Sequence, residues 1–311
     1  MKKAIILTDG KAGHENQSRA FARALGLDWT VMEVHFKSPF HKILSYMLDH
    51  FGVRTLSLFT FKSGVNPADA KDCALVIGTG SGVFYAAKAL AKKLGNAKCG
   101  VVLYPRGYHL PSFDCILAPS FDNPAKRENI IEIPVNLVAN DESFYSSGTE
   151  KFLERHKPSS KKAVSVIVGG PNKCSTMTAP WMRKELERIF SETPDCEHWV
   201  TTSRRTPKDV EEVVEDFPFD YALIYSKDHF NPIPAFVKLS SRLYVTAEST
   251  GMLSEACSFG TSEVHALDNL KSAKSKFRRF LESLVDGGYV GGVRKVDLGE
   301  QFAKASSLLG V

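Results

Sequence analysis

Short apolar runs rich in valine, isoleucine and alanine recur along the whole chain, each followed by a Gly/Ser/Asn loop and then a helical pattern. This alternation leaves few folds open, because it is how a parallel sheet with crossover helices reads. In the first half it predicts strands near Ala4–Thr8, Val31–Phe36, Ala74–Ile77, Gly100–Tyr104 and Cys115–Ala118, with helices around Glu15–Leu25 and Phe40–Phe51. A polar stretch from Asn140 to Lys162, containing Ser146-Ser147-Gly148 and Pro158-Ser159-Ser160-Lys161-Lys162, predicts a hinge. Beyond it the series resumes, with strands near Ala163–Val168, His198–Thr202, Tyr221–Tyr225, Leu243–Thr246 and Glu263–Ala266. Helices are expected there near Pro180–Phe190, Asp209–Glu215, Gly251–Phe259 and Ser272–Leu284. At 311 residues the chain is long enough for two domains of about 150 residues each. The expectation is an α/β protein of two Rossmann-like domains, 1–157 and 158–311, facing a cleft.

With 43% hydrophobic and 24% charged residues the chain is neither disordered nor fibrous. Its six cysteines are scattered, with no C-x-x-C pair, so neither a zinc site nor a disulfide framework is suggested and a reducing compartment fits. The run Ala4-Ile5-Ile6-Leu7 behind Met1-Lys2-Lys3 is too short for a signal-peptide core or a membrane span, so a cytoplasmic location is expected. Residues 1–157 carry 20 basic and 15 acidic side chains against 20 of each in 158–311, so the whole net charge of +5 sits in the first half. That excess suits ordinary surface charge, an anionic substrate, or peripheral contact with an acidic membrane. Arg204-Arg205 and Lys161-Lys162 are isolated pairs without interleaved aromatic residues, which speaks against nucleic acid. Phe40, Ile43, Leu44, Met47, Leu48 and Phe51 form a stripe at helical spacing. It is expected to pack in the core; an exposed version would be a membrane-facing patch.

In open parallel sheets ligands bind beyond the carboxyl ends of the strands, so the strand-to-helix loops carry the functional reading. The first runs from Thr8 to Gln17, where Gly10 and Gly13 permit a tight backbone and Asp9, Lys11, His14, Glu15 and Asn16 supply polar reach beside a helix N-terminus. A turn capped by Asp9 or Asn16 is the alternative. The second, Ile77-Gly78-Thr79-Gly80-Ser81-Gly82, lacks a properly spaced third glycine because Tyr85 and Ala86 follow, so it is weak as a dinucleotide fingerprint. It suits a backbone platform beside a substrate, or close helix–strand packing. The third, Val168-Gly169-Gly170-Pro171-Asn172-Lys173, lets the chain approach a pyrophosphate. After the next strand, Thr202, Ser203, Arg204 and Arg205 precede a proline-started helix and make an anion site or a solvated basic turn. In the fourth, Thr246 to Ala256, a carboxylate in the first turns of a helix can accept both ribose hydroxyls. Glu255 is the candidate and Glu248 the second, with helix capping or dipole compensation as the alternative role.

The string Leu7-Thr8-Asp9-Gly10-Lys11-Ala12-Gly13-His14-Glu15-Asn16-Gln17, with Ser203-Arg204-Arg205-Thr206-Pro207 and Val245-Thr246-Ala247-Glu248-Ser249 leading to Met252-Leu253-Ser254-Glu255-Ala256, resembles the ELM (elongated mitochondria) fission-protein family and its bacterial relatives. The resemblance spans nearly the whole chain, and plant members of that family are associated with mitochondrial division. More distantly, Gly13-His14, Gly78 to Gly82, Gly169-Gly170 and Ser254-Glu255 are similar to the loops of GT-B glycosyltransferases, among them the enzyme that adds N-acetylglucosamine to the lipid-linked peptidoglycan precursor. Lys11 and Ala12 in the first loop and Pro171-Asn172 in the third depart from that pattern.

The second resemblance implies a GT-B type fold and a nucleotide-sugar donor, UDP-linked, held by the C-terminal domain through Gly169, Gly170, Thr202, Ser203, Arg204, Arg205, Ser249, Met252, Ser254 and Glu255. The acceptor side would then comprise Gly10, Lys11, Gly13, Glu15, Asn16, Gly78, Gly80 and Ser81, with His14 or Asp9 as the base. No Asp-x-Asp triplet is present, so no metal and no cofactor are expected. Two other functions stay open: a non-catalytic scaffold, as the fission role of the plant proteins implies, and an isomerase of the non-hydrolysing UDP-sugar epimerase kind. The enzymatic reading requires backbone amides that lie open to a pyrophosphate.

Overall fold

The computed structural model describes residues 2–62, 73–95 and 97–311. Two compact units are present, Met1–Ala139 with Leu298–Val311, and Asn140–Asp297. Unit 1 runs β1 (Lys3–Thr8), α1 (Ala12–Ala24), β2 (Asp28–Phe36), α2 (Pro39–His50), β3 (Phe59–Phe61), β4 (Cys73–Thr79), α3 (Phe84–Leu94), β5 (Lys98–Val102), β6 (Cys115–Pro119) and β7 (Ile130–Ile133). Its sheet has the order β3-β2-β1-β4-β5-β6-β7, parallel except for the β2–β3 pair. Alternation along β1 sends Ala4 and Ile6 to one face and Ile5 and Leu7 to the other, and both faces are covered, as a parallel sheet requires.

Unit 2 runs α4 (Glu142–Arg155), β8 (Ala163–Ile167), α5 (Ala179–Glu192), β9 (Glu197–Thr201), α6 (Lys208–Asp216), β10 (Tyr221–Leu223), α7 (Ile233–Leu239), β11 (Ser240–Thr246), α8 (Thr250–Ser258), β12 (Glu263–Leu267) and α9 (Lys276–Asp286). Its five strands are all parallel in the order β10-β9-β8-β11-β12. Numbered within the unit this is 3-2-1-4-5, the Rossmann order. The expected pair of Rossmann-like domains is therefore what the chain forms. In each sheet the chain reverses its direction of travel once, between β1 and β4 and between β8 and β11, and these reversals are where a ligand crevice can form.

The boundary expected at 157/158 is corrected to 139/140, with a second crossing at 297/298. The stretch read as a hinge is largely the helix α4, capped by Asp141, whose side chain accepts from the Phe144 N–H. Gly148 lies in that helix, where a Cβ would press on Pro234 of α7; the glycine permits close helix packing and marks no turn. Tyr145 and Phe152 of α4 are buried, the latter against Trp199 and Phe236. The final helix α10 (Gly299–Leu309) belongs to unit 1, where Ala305 and Leu309 join the face formed by Ala4, Ile6 and Phe21. The α2 stripe is corrected too. Only Leu44 and Leu48 turn inward, whereas Phe40, Ile43, Met47 and Phe51 are exposed.

Candidate functional site

At the unit 1 reversal, the loops after β1 and β4 meet. The His14 ring lies against Gly80, where a Cβ would fall inside the imidazole, and Asp9 lies against Gly82 in the same way. Gly80 also takes φ +87°, a backbone conformation that a side chain would strain. His14 Nδ1 is 3.0 Å from Asp9 Oδ1, and Lys11 Nζ is 2.9 Å from Asp9 Oδ2. Burial would raise the Asp9 pKa, but the Lys11 hydrogen bond and the charge and hydrogen bond of His14 outweigh it, and the carboxyl ionises below its ordinary range. The contact engages Nδ1 of His14 with the Asp9 carboxylate, so Nε2 is the ring nitrogen this pair does not use.

The rest of the first two loops serves this pair unevenly. Ser18 and Thr79 share a buried hydrogen bond of 2.7 Å that ties α1 to the end of β4. Lys42 Nζ donates to Ser81 Oγ at 3.0 Å. Gly10, with φ +78°, faces Glu33 and His35, while Gly13 and Asn16 are exposed in the first turns of α1. Glu15 pairs with Arg19 one turn on. Gly78 lies inside β4 against Val83, so its missing side chain serves packing between β4 and the segment before α3.

At the unit 2 reversal the expectation fails in part. The Gly169 N–H donates to Thr246 Oγ1 at 2.8 Å and the Gly170 N–H to Glu248 Oε1 at 2.7 Å. Glu248 is buried and also accepts from Thr246 Oγ1 at 3.1 Å and from Asn269 Nδ2 at 2.7 Å. A Cβ on Gly169 would enter the Glu248 carboxylate, and one on Gly170 would enter the Arg205 carbonyl. These glycines therefore exist for internal close approach, and their amides are already used. Ser254 is corrected likewise: it is buried and donates to the Thr250 carbonyl at 2.6 Å.

A cavity of about 280 Å³ does open in unit 2 beyond β9 and β10. The loop after β9 lines it with Thr201, Thr202, Ser203, Arg204 and Arg205; the first turns of α8 add Met252. Thr202 is a fixed wall: its hydroxyl donates to Glu211 at 2.9 Å and accepts from the Tyr225 N–H at 2.8 Å. Arg204 and Arg205 are exposed. Ser249 precedes α8, whose first-turn N–H groups have no partner one turn back within the helix and offer partial positive charge. Tyr225, His229, Phe230, Asn231, Pro232 and Ile233 also line the cavity, and the loop reading missed them. Their signal was the run Tyr225 to Pro232, aromatic and polar, directly behind a strand.

Glu255 follows Met252 at the helical spacing of three on α8 but, unlike Met252, does not itself line the cavity. Tyr145 Oη donates to its Oε1 at 2.9 Å and Asn140 Nδ2 to the same oxygen at 3.3 Å. Burial raises the Glu255 pKa, an effect that the Tyr145 and Asn140 hydrogen bonds oppose only in part.

Two paired Rossmann-like units of this kind define a GT-B type fold, and solved structures share it. This chain aligns over its full length with the UDP-GlcNAc 2-epimerase of Neisseria meningitidis bound to UDP-GlcNAc, at 14% identity and a TM-score of 0.51, covering 100% of that chain. A structure assigned as the UDP-N-acetylglucosamine 2-epimerase of Listeria monocytogenes aligns over 100% of this chain and 89% of that one, at 14% identity and a TM-score of 0.54. Residues 12–306 match the mitochondrial fission ELM1 family, and the chain belongs to it. A curated relative, uncharacterized protein RP120 of Rickettsia prowazekii (strain Madrid E), is 26% identical over 90% of this chain and 87% of its own. Among the described residues no group of three or more His, Cys, Asp and Glu is placed to hold a metal, and no helix is long and apolar enough to cross a membrane.

Proposed function

We propose that unit 2 binds the nucleotide of a UDP-linked sugar and that the protein is a glycosyltransferase working without a metal or cofactor, in the cytoplasm. The observation that carries this reading is the cavity of about 280 Å³ that combines exposed Arg204 and Arg205 with the start of α8, whose amides are the open ones the reading requires, since those of Gly169 and Gly170 are bonded internally. The flat base would fit against Tyr225 and the 229–233 segment, the ribose hydroxyls would donate to Glu255, and the diphosphate would take the α8 amides with Arg204 and Arg205. In the transfer step His14 Nε2 removes the acceptor hydroxyl proton, the oxygen forms a bond to the sugar C1, and the bond from C1 to the phosphate oxygen breaks. The charge left on the diphosphate is what the arginines and helix end stabilise.

Calorimetric titration with UDP and with uridine tests the assignment. Joint replacement of Arg204 and Arg205 by alanine is expected to weaken UDP at least tenfold and uridine little; equal losses would refute the diphosphate role. His14→Ala is expected to abolish transfer while leaving UDP affinity unchanged, and a fully active variant would remove His14 as base. A second reading is favoured by one observation, the engagement of the Gly169 and Gly170 amides by Thr246 and Glu248. A binding protein that retains the nucleotide and has lost turnover would be built so. Sugar-nucleotide affinity without transfer to any acceptor, and without epimerisation, would select it.

A further inference from the structure

Helix α2 is amphipathic the wrong way round for a helix that faces only water. Its inner face buries Ser45 and Asp49, while Phe40 is 67% exposed, Ile43 70%, Met47 53% and Phe51 77%. The burial is no accident of a loose helix. Asp49 is enclosed between Lys88 and Arg54 and accepts the His109 N–H at 2.6 Å. Tyr46 stacks on Tyr108 with ring centroids 4.3 Å apart, and the Ser45 hydroxyl is 3.2 Å from the Tyr108 hydroxyl. With the inner face fixed by these bonds, the four large apolar side chains have no route inward. Val53, 43% exposed, extends the patch past the helix end. A contiguous apolar face of this kind on a water-facing surface marks a contact with something else.

Charge says what that something is. From Val34 to Lys62 the only acidic residue is Asp49, and it is consumed by internal ion pairs. The same span carries Lys37, Lys42, Arg54 and Lys62 with three histidines; Arg54 is spent on Asp49 and Lys62 pairs with Glu33, so exposed Lys37 and partly buried Lys42 make the basic flank. A second copy docking face to face would bring cation against cation. An anionic bilayer surface matches both the apolar stripe and the basic flank. We infer that α2 is an interfacial docking helix, lying in the plane of an anionic lipid surface with Phe40, Ile43, Met47 and Phe51 below the headgroups and the flanking lysines against lipid phosphates. Because Lys42 also bonds Ser81, docking sets the His14 loops close to the headgroup layer.

Flotation of the full chain with phosphatidylcholine vesicles, plain or containing 30% phosphatidylglycerol, tests this. The protein is expected to bind the anionic vesicles at least tenfold better. The double variant Phe40→Ser/Phe51→Ser is expected to lose at least tenfold of that binding with its thermal melt and UDP titration unchanged, since both sites are exposed. Lys37→Glu should remove several-fold of the salt-sensitive part. No preference for anionic vesicles, or full binding by the serine variant, would overturn the inference. So would a wild-type dimer that the serine variant converts to monomer while vesicle binding is absent. UDP titration reads unit 2 alone, so failure of docking and failure of the proposed nucleotide site give separate signals.

Discussion

The two sheet reversals have the same topology and the same kind of glycine-rich loop, yet they are filled differently. In unit 1 the loops hold a partly buried His14 whose Nδ1 lies against Asp9. In unit 2 the corresponding amides of Gly169 and Gly170 are bonded to Thr246 and to a buried Glu248, which also holds Asn269 after β12. The cavity of unit 2 lies one strand outward, at the loops after β9 and β10. The lesson is that glycines behind a strand report close approach, while the neighbouring strand end decides what approaches. A reaching side chain such as Glu248 closes the crevice and a bare loop such as Gly80 to Gly82 leaves it to an imidazole.

The most forceful way to break this contrast is Glu248→Ala. It strands the Gly170 N–H and the Asn269 amide in the interior, and at roughly 1–3 kcal/mol per unsatisfied buried donor it is expected to cost about 3–5 kcal/mol. An unfolding free energy from chemical denaturation within about 1 kcal/mol of wild type would show that Glu248 is no keystone. Next comes Gly170→Ala, whose methyl group would meet the Arg205 backbone and cannot escape by rotation; a loss of about 1–3 kcal/mol is expected.

The two carboxylates sharpen the comparison through pH. Asp9 ionises below its ordinary value when folded, so its contribution is complete above about pH 4 and is lost as pH falls through the folded pKa. Asp9→Asn should therefore be less stable than wild type by about 1 kcal/mol at pH 7, with the gap closing in acid. Glu255 is the reverse. Its folded pKa lies above 4.5, so its contribution is present below that value and is lost as pH rises through the folded pKa. Glu255→Gln should leave stability at pH 7 unchanged or higher while weakening UDP; melting curves with the same pH trend for both variants would contradict the assignment. The smallest effect is Gly13→Ala, in α1 with nothing near its Cβ position, where a gain of about 0.5–1 kcal/mol is expected.

Strands buried on both faces were legible because their apolar runs are continuous: β1, β6 and β8 lie within a residue or so of their expected bounds. Helix α4 was not, because its sequence is polar and contains Ser146-Ser147-Gly148; its helicity is enforced by Tyr145 and Phe152 packing in unit 2. The return of α10 to unit 1 depends on Ala305 and Leu309 joining the cluster of Phe21 and Ala4, from the other end of the sequence, which no local pattern carries. Edge strand β3 is three residues long and antiparallel, too short to show a period. At the loop ends, residue types are readable in the sequence and the partners they take are not. The polar loop that brings Asp9 and His14 together is visible as a local string, but that Glu248 would consume the Gly170 amide required the register of β8 on β11.

The central claim is that the unit 2 cavity holds a nucleoside diphosphate. Thermal melting of the full chain against a panel of nucleoside diphosphates and their sugars tests it most directly. UDP or a UDP-sugar at one hundred times its dissociation constant is expected to stabilise the folded state by about 2.7 kcal/mol, with the gain lost in the Arg204→Ala/Arg205→Ala variant. A melting temperature that stays flat with every member of the panel at millimolar concentration would contradict the account.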